Sequence, residues 1–218
     1  VNESPGEFDF PQDEPSNKTL LVRGFGLFWE HKRLLVGAHL ILLAIVFLGD
    51  YLLQGIGGNV LLGPFLLGMY KIDLAIVRNK ETHLGELLAG FETFLPAFIA
   101  NILIQVAFLI GLSLLVIPGL LVLLTYTTTY LFLLDTKPGM WDAMEASRKL
   151  VWGNRKRWLT LGIMILGINL AGLLFFVIGL IVTIPYTHLL ITMAYDEDTT
   201  READENRRIM PIPADEPA

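Results

Sequence analysis

Six apolar runs, each close to twenty residues long, dominate the chain between residues 34 and 195. A helix needs about 20 mostly apolar residues to cross the hydrocarbon core of a bilayer. The runs at 34–53, 60–77, 95–116, 119–134, 158–176 and 180–195 therefore predict six transmembrane helices. Three of the links between them are short. Residues 54–59 (QGIGGN) form a glycine turn, and Pro118 in the 116–119 link can open a helix without losing an internal hydrogen bond. Pro185 falls inside the last run and predicts a kink.

Weaker, amphipathic patterns lie before each pair of runs. Leu84, Leu87, Leu88 and Phe91 share one helical face, with Thr82 placed as an N-cap. Met140, Met144, Ser147 and Val151 make another face, opposite Asp142, Glu145 and Lys149. The first such stretch, around Leu21, Phe25 and Phe28, contains Gly24 and Gly26, each of which lowers helix propensity by about 1 kcal/mol. Segments too polar to span and apolar enough to bind a surface lie in the headgroup region. The predicted fold is an all-α membrane protein with six transmembrane helices in three tight helical hairpins, each preceded by an amphipathic interfacial helix.

The hairpins carry an internal repeat. Gly63-x6-Tyr70, Gly119-x6-Tyr126 and Gly179-x6-Tyr186 share one spacing, and the last two copies align without a gap at an offset of sixty residues. Each copy starts on the same side, which predicts parallel repeats packed about a pseudo-threefold axis.

Composition agrees with the pattern: 53% of the 218 residues are hydrophobic, 17% are charged, and the mean hydropathy is +0.56. Soluble domains have too little interior to hide that much apolar surface. Charge adds a direction. The tails 1–15 and 196–218 are acidic and aperiodic, and both read as disordered; the body between them is net +4. Its cations avoid the three short links and gather in the N-terminal arm, at the end of the second run and in the longer loops. By the positive-inside rule, both termini lie in the cytoplasm. With no cleavable leader visible, the first apolar run serves as its own insertion signal. The expected location is the bacterial cytoplasmic membrane.

The basic cluster Arg148, Lys149, Arg155, Lys156 and Arg157, with Trp152 and Trp158 beside it, fits anionic headgroups on the cytoplasmic side and not nucleic acid. Ionisable residues inside the spans are His39, Asp50, Lys71, Asp73 and His188. Asp50, near the end of its run, reaches water. Lys71 can snorkel towards the end of its helix, and two residues apart on a helix it does not face Asp73. A polar layer of Tyr70, Lys71, Asp73, Tyr126, Tyr186 and His188 around the pseudo-axis would line a small site or pathway, because buried ionisable groups are costly to retain. The competing reading makes these residues, with Asn101, Gln105 and Asn169, hydrogen-bond glue between helices.

Enzyme chemistry finds no footing in the residues. The chain has no cysteine, its histidines at 31, 39, 83 and 188 form no HExxH pair, and neither a phosphate-binding loop nor a GxSxG nucleophile occurs. No cofactor, metal site or catalytic residue is expected.

Several motifs resemble a group of uncharacterised bacterial multi-pass membrane proteins: Leu87-Leu88-Ala89-Gly90-Phe91-x-x-Phe94, the Val116-Ile117-Pro118-Gly119 turn, Asp135-x-x-Pro138-Gly139, Ala146-Ser147-Arg148 with Asn154, and Val182-x-Ile184-Pro185. That group is similar to the membrane portion of membrane-anchored glycerophosphodiester phosphodiesterases. The resemblance covers roughly residues 20–195 and implies an architecture. The phosphodiesterase catalytic domain has no counterpart, so no hydrolase activity follows. The expectation is a non-enzymatic inner-membrane scaffold, accessory or envelope-homeostasis component with a membrane-protein partner. The alternative is a small transporter or channel for an ion, lipid or amphiphile.

Overall fold

The computed structural model describes residues 16–54, 57–136 and 139–209, and every regular element among them is helical. In chain order these are α1 (Asn17–Leu52), α2 (Gly57–Val77), a 3₁₀ segment (Leu84–Thr93), α3 (Phe94–Leu114), α4 (Val116–Tyr126), α5 (Thr129–Asp135), α6 (Met140–Gly153), α7 (Arg155–Leu174) and α8 (Phe176–Ile209). The expected acidic arm 1–15 and residues 210–218 of the expected tail lie outside the described residues.

Six helical stretches are long and apolar enough to cross a membrane, with α4 and α5 counted as one and the 3₁₀ segment joined to α3. This is the pattern of a multi-pass membrane protein. Large side chains including Phe47, Leu114, Ile163 and Leu174 point outward. Water would not tolerate so wide an apolar coat, whereas lipid solvates it. The bundle is built around α2, of whose most apolar window 61% is buried, against 17% for α7.

Small residues let α2 take that central place. A Cβ added to Gly68 would stand 2.3 Å from the Leu87 carbonyl oxygen, and one on Gly63 would stand 2.4 Å from that of Ala97. Backbones approach this closely only where side chains are missing, and the dispersion gained is the main attraction between helices in lipid. Glycines also meet beside the short links: a Cβ on Gly57 would lie 2.1 Å from Gly49 O, and one on Gly179 2.1 Å from Gly172 O. The carboxylate of Asp50 accepts the Gly58 N–H at 2.7 Å, so it covers an open donor in the first turn of α2.

Four segments differ from the sequence expectation. The stretch around Leu21, Phe25 and Phe28 is continuous with the first span in the 36-residue α1, capped by Ser16 accepting the Lys18 N–H at 3.3 Å. Gly24 is tolerated there because it seats α8: a Cβ would lie 2.5 Å from the Leu190 side chain. The stretch after Thr82 is a 3₁₀ segment packed backbone to backbone along α2, with Gly90 under Pro64 and Leu87 over Gly68.

The fourth span is interrupted at Thr127-Thr128, between α4 and α5. The interruption is stabilised by side chains that take over the freed groups: Ser147 Oγ donates to Thr125 O at 2.8 Å and Tyr70 OH to Thr127 O at 3.2 Å. Thr128 Oγ in turn donates to Ser147 Oγ at 2.9 Å. Irregular backbone inside a membrane protein persists where protein partners satisfy it.

Finally, the expected disordered tail begins as helix. α8 runs from Phe176 through Pro185 to Ile209, so 196–209 is ordered. The acids that read as solvated charges are bound. Asp196 accepts Arg78 Nε at 2.8 Å, and Glu197 accepts Arg23 at 2.9 Å and Arg157 at 2.5 Å.

Candidate functional site

Half of the expected polar layer assembles. Asp73 on α2 is fully buried, and its Oδ2 meets Nδ1 of His188 on α8 in a short contact. The imidazole of His188 lies on the Tyr70 ring, centroids 3.9 Å apart and planes 29° from parallel. Tyr70 and Asp73 stand three residues apart and therefore on one face of α2, which is why both reach the same partner.

His39 on α1 completes the group: its ring stands nearly perpendicular to that of His188 at 5.4 Å. His39 Nδ1 contacts Leu35 O at 2.9 Å. A carbonyl oxygen only accepts, so Nδ1 carries the hydrogen and Nε2 holds the lone pair when the ring is neutral.

Beyond Tyr70 a second polar chain extends across the bundle. Tyr70 stacks on Tyr130 of α5, centroids 5.9 Å apart. Tyr130 OH donates to Asn101 Oδ1 at 3.3 Å, and Asn101 Nδ2 donates to Asn59 O at 3.0 Å. Asn101 and Asn169 act as the hydrogen-bond glue the sequence suggested, Asn169 donating to Thr187 Oγ at 3.2 Å.

The other members of the expected layer go elsewhere. Lys71 points away from Asp73, as their spacing requires, and pairs with Glu86 of the 3₁₀ segment at 2.8 Å. It lines a cleft of about 280 Å³ with Arg78, Lys80, Thr82 and Glu86. Tyr186 OH donates to Leu21 O at 2.9 Å and its ring packs edge-on against Phe25 and Phe28. Tyr126 precedes the break in the fourth span. Tyr130 of α5, four residues later, is the tyrosine that stacks on Tyr70.

The basic cluster also divides. Arg148 and Lys149 pair with Glu145 at 2.6 and 3.7 Å, on an exposed face where solvent screens such pairs. The Arg148 hydrogen bond holds the Glu145 carboxyl below its ordinary range. Arg157 is only 11% exposed and is bound by Glu197 and the fully buried Asp198. Trp158 is also buried, its indole N–H donating to Asp198 at 3.0 Å. Arg155 and Lys156 are exposed, and Trp152, 44% exposed, donates to Thr125 Oγ at 3.1 Å. These three stay exposed on the surface of the bundle.

A third knot joins α2, α5 and α8. Arg78 forks onto Asp135 with two bonds of 2.7 Å, and Tyr195 OH donates to the same carboxylate at 3.3 Å. Donating hydrogen bonds to Asp135, and to Asp196 as well, raises the Arg78 pKa further above an already basic value. The arginine stays charged at any working pH.

Among the described residues, no group of three or more His, Asp or Glu is arranged to hold a metal ion. A scan of protein-family models, a search of curated proteins and a search of solved structures each return no match to this chain.

Proposed function

We propose that this chain is a non-enzymatic component of the bacterial cytoplasmic membrane, a scaffold or accessory protein with both ends inside. Its working surfaces are the bilayer, anionic headgroups beside Arg155 and Lys156, and a membrane-protein partner. The observation that carries this reading is the way the bundle consumes its own polar groups. Arg78 and Arg157, the best-formed cationic groups, are committed to Asp135, Asp196, Glu197 and Asp198, while the outward surface is apolar. Glycine contacts at 49–57, 111–119 and 172–179 support three hairpins as the repeating unit. The similarity to the membrane portion of anchored phosphodiesterases fits the same role.

Apolar replacement of Lys71, Asp73 and His188 tests it. The variants are expected to lose thermal stability and nothing else. A folded variant that loses a solute flux or a cellular phenotype would overturn the scaffold reading. Orientation is checked by a reporter active only outside the cytoplasm, fused after Asn79. It is expected to be silent, and activity there would reverse the topology.

A second reading, a small transporter, is favoured by one specific observation: Tyr70, Asp73, His188 and His39 converge from three helices on a single buried spot. Membrane-interior ionisable groups commonly mark ion or proton routes.

A further inference from the structure

The Asp73 group holds more than its neighbours use. One carboxylate oxygen, Oδ2, meets His188 Nδ1, whereas Oδ1 is buried without a protein partner. A lone ionised carboxylate in such surroundings is costly, and a proton on the adjacent imidazole would make the pair neutral. The titratable groups around it are few. α1 contributes His39, α2 contributes Tyr70 and Asp73, α5 contributes Tyr130 behind Tyr70, and α8 contributes His188. Lys71 faces away to Glu86, so neither of them compensates Asp73. α3 brings the uncharged Asn101, bonded to Tyr130 and to the Asn59 carbonyl.

Geometry also grades access. Asp73 has no exposed surface, His188 retains 12% of its side chain, and His39 is partly exposed. Both imidazoles direct Nδ1 inward, His188 to the carboxylate and His39 to the Leu35 carbonyl. Nε2 of each ring is then the atom left to accept a proton.

We infer that Asp73, His188 and His39 form a proton-binding site inside the bundle, in which the proton is taken up at an imidazole Nε2 and held by the Asp73 carboxylate. One proton binds and none of the covalent bonds between heavy atoms change; the −1 carboxylate–imidazole pair becomes neutral. What the proton drives rests on the transport reading, whereas the binding itself does not.

The test is nitrogen-15 histidine NMR on the full chain in lipid nanodiscs, titrated with acid, with His31 and His83 as internal references. His188 is expected to titrate, and Asp73→Asn is expected to weaken its proton affinity about tenfold or more, a shift of at least about one pH unit. Because Asp73→Asn can also weaken packing, His39→Gln serves as the second variant. It removes only the neighbouring imidazole and is expected to move the His188 midpoint by a smaller but measurable amount. A His188 titration unchanged in both variants, or a His188 that does not titrate in the wild type, overturns the site. Proton flux in liposomes is the separate arm: NMR coupling without flux leaves the binding site standing and removes the transport reading alone.

Discussion

Gly90→Ala is expected to be among the most damaging single-methyl additions in this chain. An added Cβ would stand 1.8 Å from the Pro64 carbonyl oxygen. The obstacle is backbone on α2, so no side chain can rotate away. Overpacking ordinarily costs about 1–3 kcal/mol when side chains can adjust. Here the 3₁₀ segment must lift off the central helix, carrying Leu87 from Gly68 and Glu86 from Lys71, and a loss at or above the top of that range is expected. Thermal melting in mild detergent measures it. Gly26→Ala is the matched control, since nothing lies within 4 Å of its added Cβ. Its helix should gain up to about 1 kcal/mol from the better helix former. A Gly90→Ala protein melting with the wild type would show that the contact between the 3₁₀ segment and α2 is not required.

The second large effect belongs to Arg157. Changing it to Gln leaves Asp198, fully buried, with only the longer 3.8 Å contact to the more exposed Arg201, and Glu197 with only the more exposed Arg23. Removing one partner of a buried ion pair costs about 3–5 kcal/mol, because the remaining charge stays desolvated. By the same rule, the double replacement Arg157→Met with Asp198→Leu should recover much of the loss. Limited proteolysis adds a local readout. Arg157→Gln is expected to open residues 196–209 to cleavage while the apolar spans stay resistant. Equal protection in wild type and variant would mean that α8 is held by other contacts. The half-exposed Lys71–Glu86 pair is the useful contrast, as surface pairs of its kind contribute about 1 kcal/mol or less.

The six spans were legible because hydropathy is summed over about twenty residues, and no single side chain decides it. The core of the polar site was legible too, since Tyr70, Asp73 and His188 are conspicuous in apolar surroundings. What escaped depends on partners distant in the chain. Asp196, Glu197 and Asp198 look like a solvated tail until Arg78 and Arg157 are placed beside them. Thr127-Thr128 looks like ordinary helix until Ser147 and Tyr70 arrive to satisfy the carbonyls, and beyond it Tyr130, not Tyr126, stacks on Tyr70. His39 was noted as an ionisable group in a span, but nothing local to α1 says that it faces His188. The seating of residues 84–93 on α2 depends on the close approach of Gly90 to Pro64, a constraint that periodicity cannot express.

The bound end of α8 also bears on biogenesis. Residues 196–209 leave the ribosome after every other described element, yet they carry both carboxylates that bind Arg157 and the second one on Arg78, beside Asp135. Until they emerge, the Arg157 guanidinium must be solvated by water or anionic lipid. Arrival of the last helix then displaces that solvation and locks α1, α2, α5 and α7 to a common end. Chains stopped before residue 196 should therefore persist as inserted but loosely associated helices, the natural substrates of membrane quality-control proteases. On this account the acidic stretch ties the described helices together only after α8 has been made.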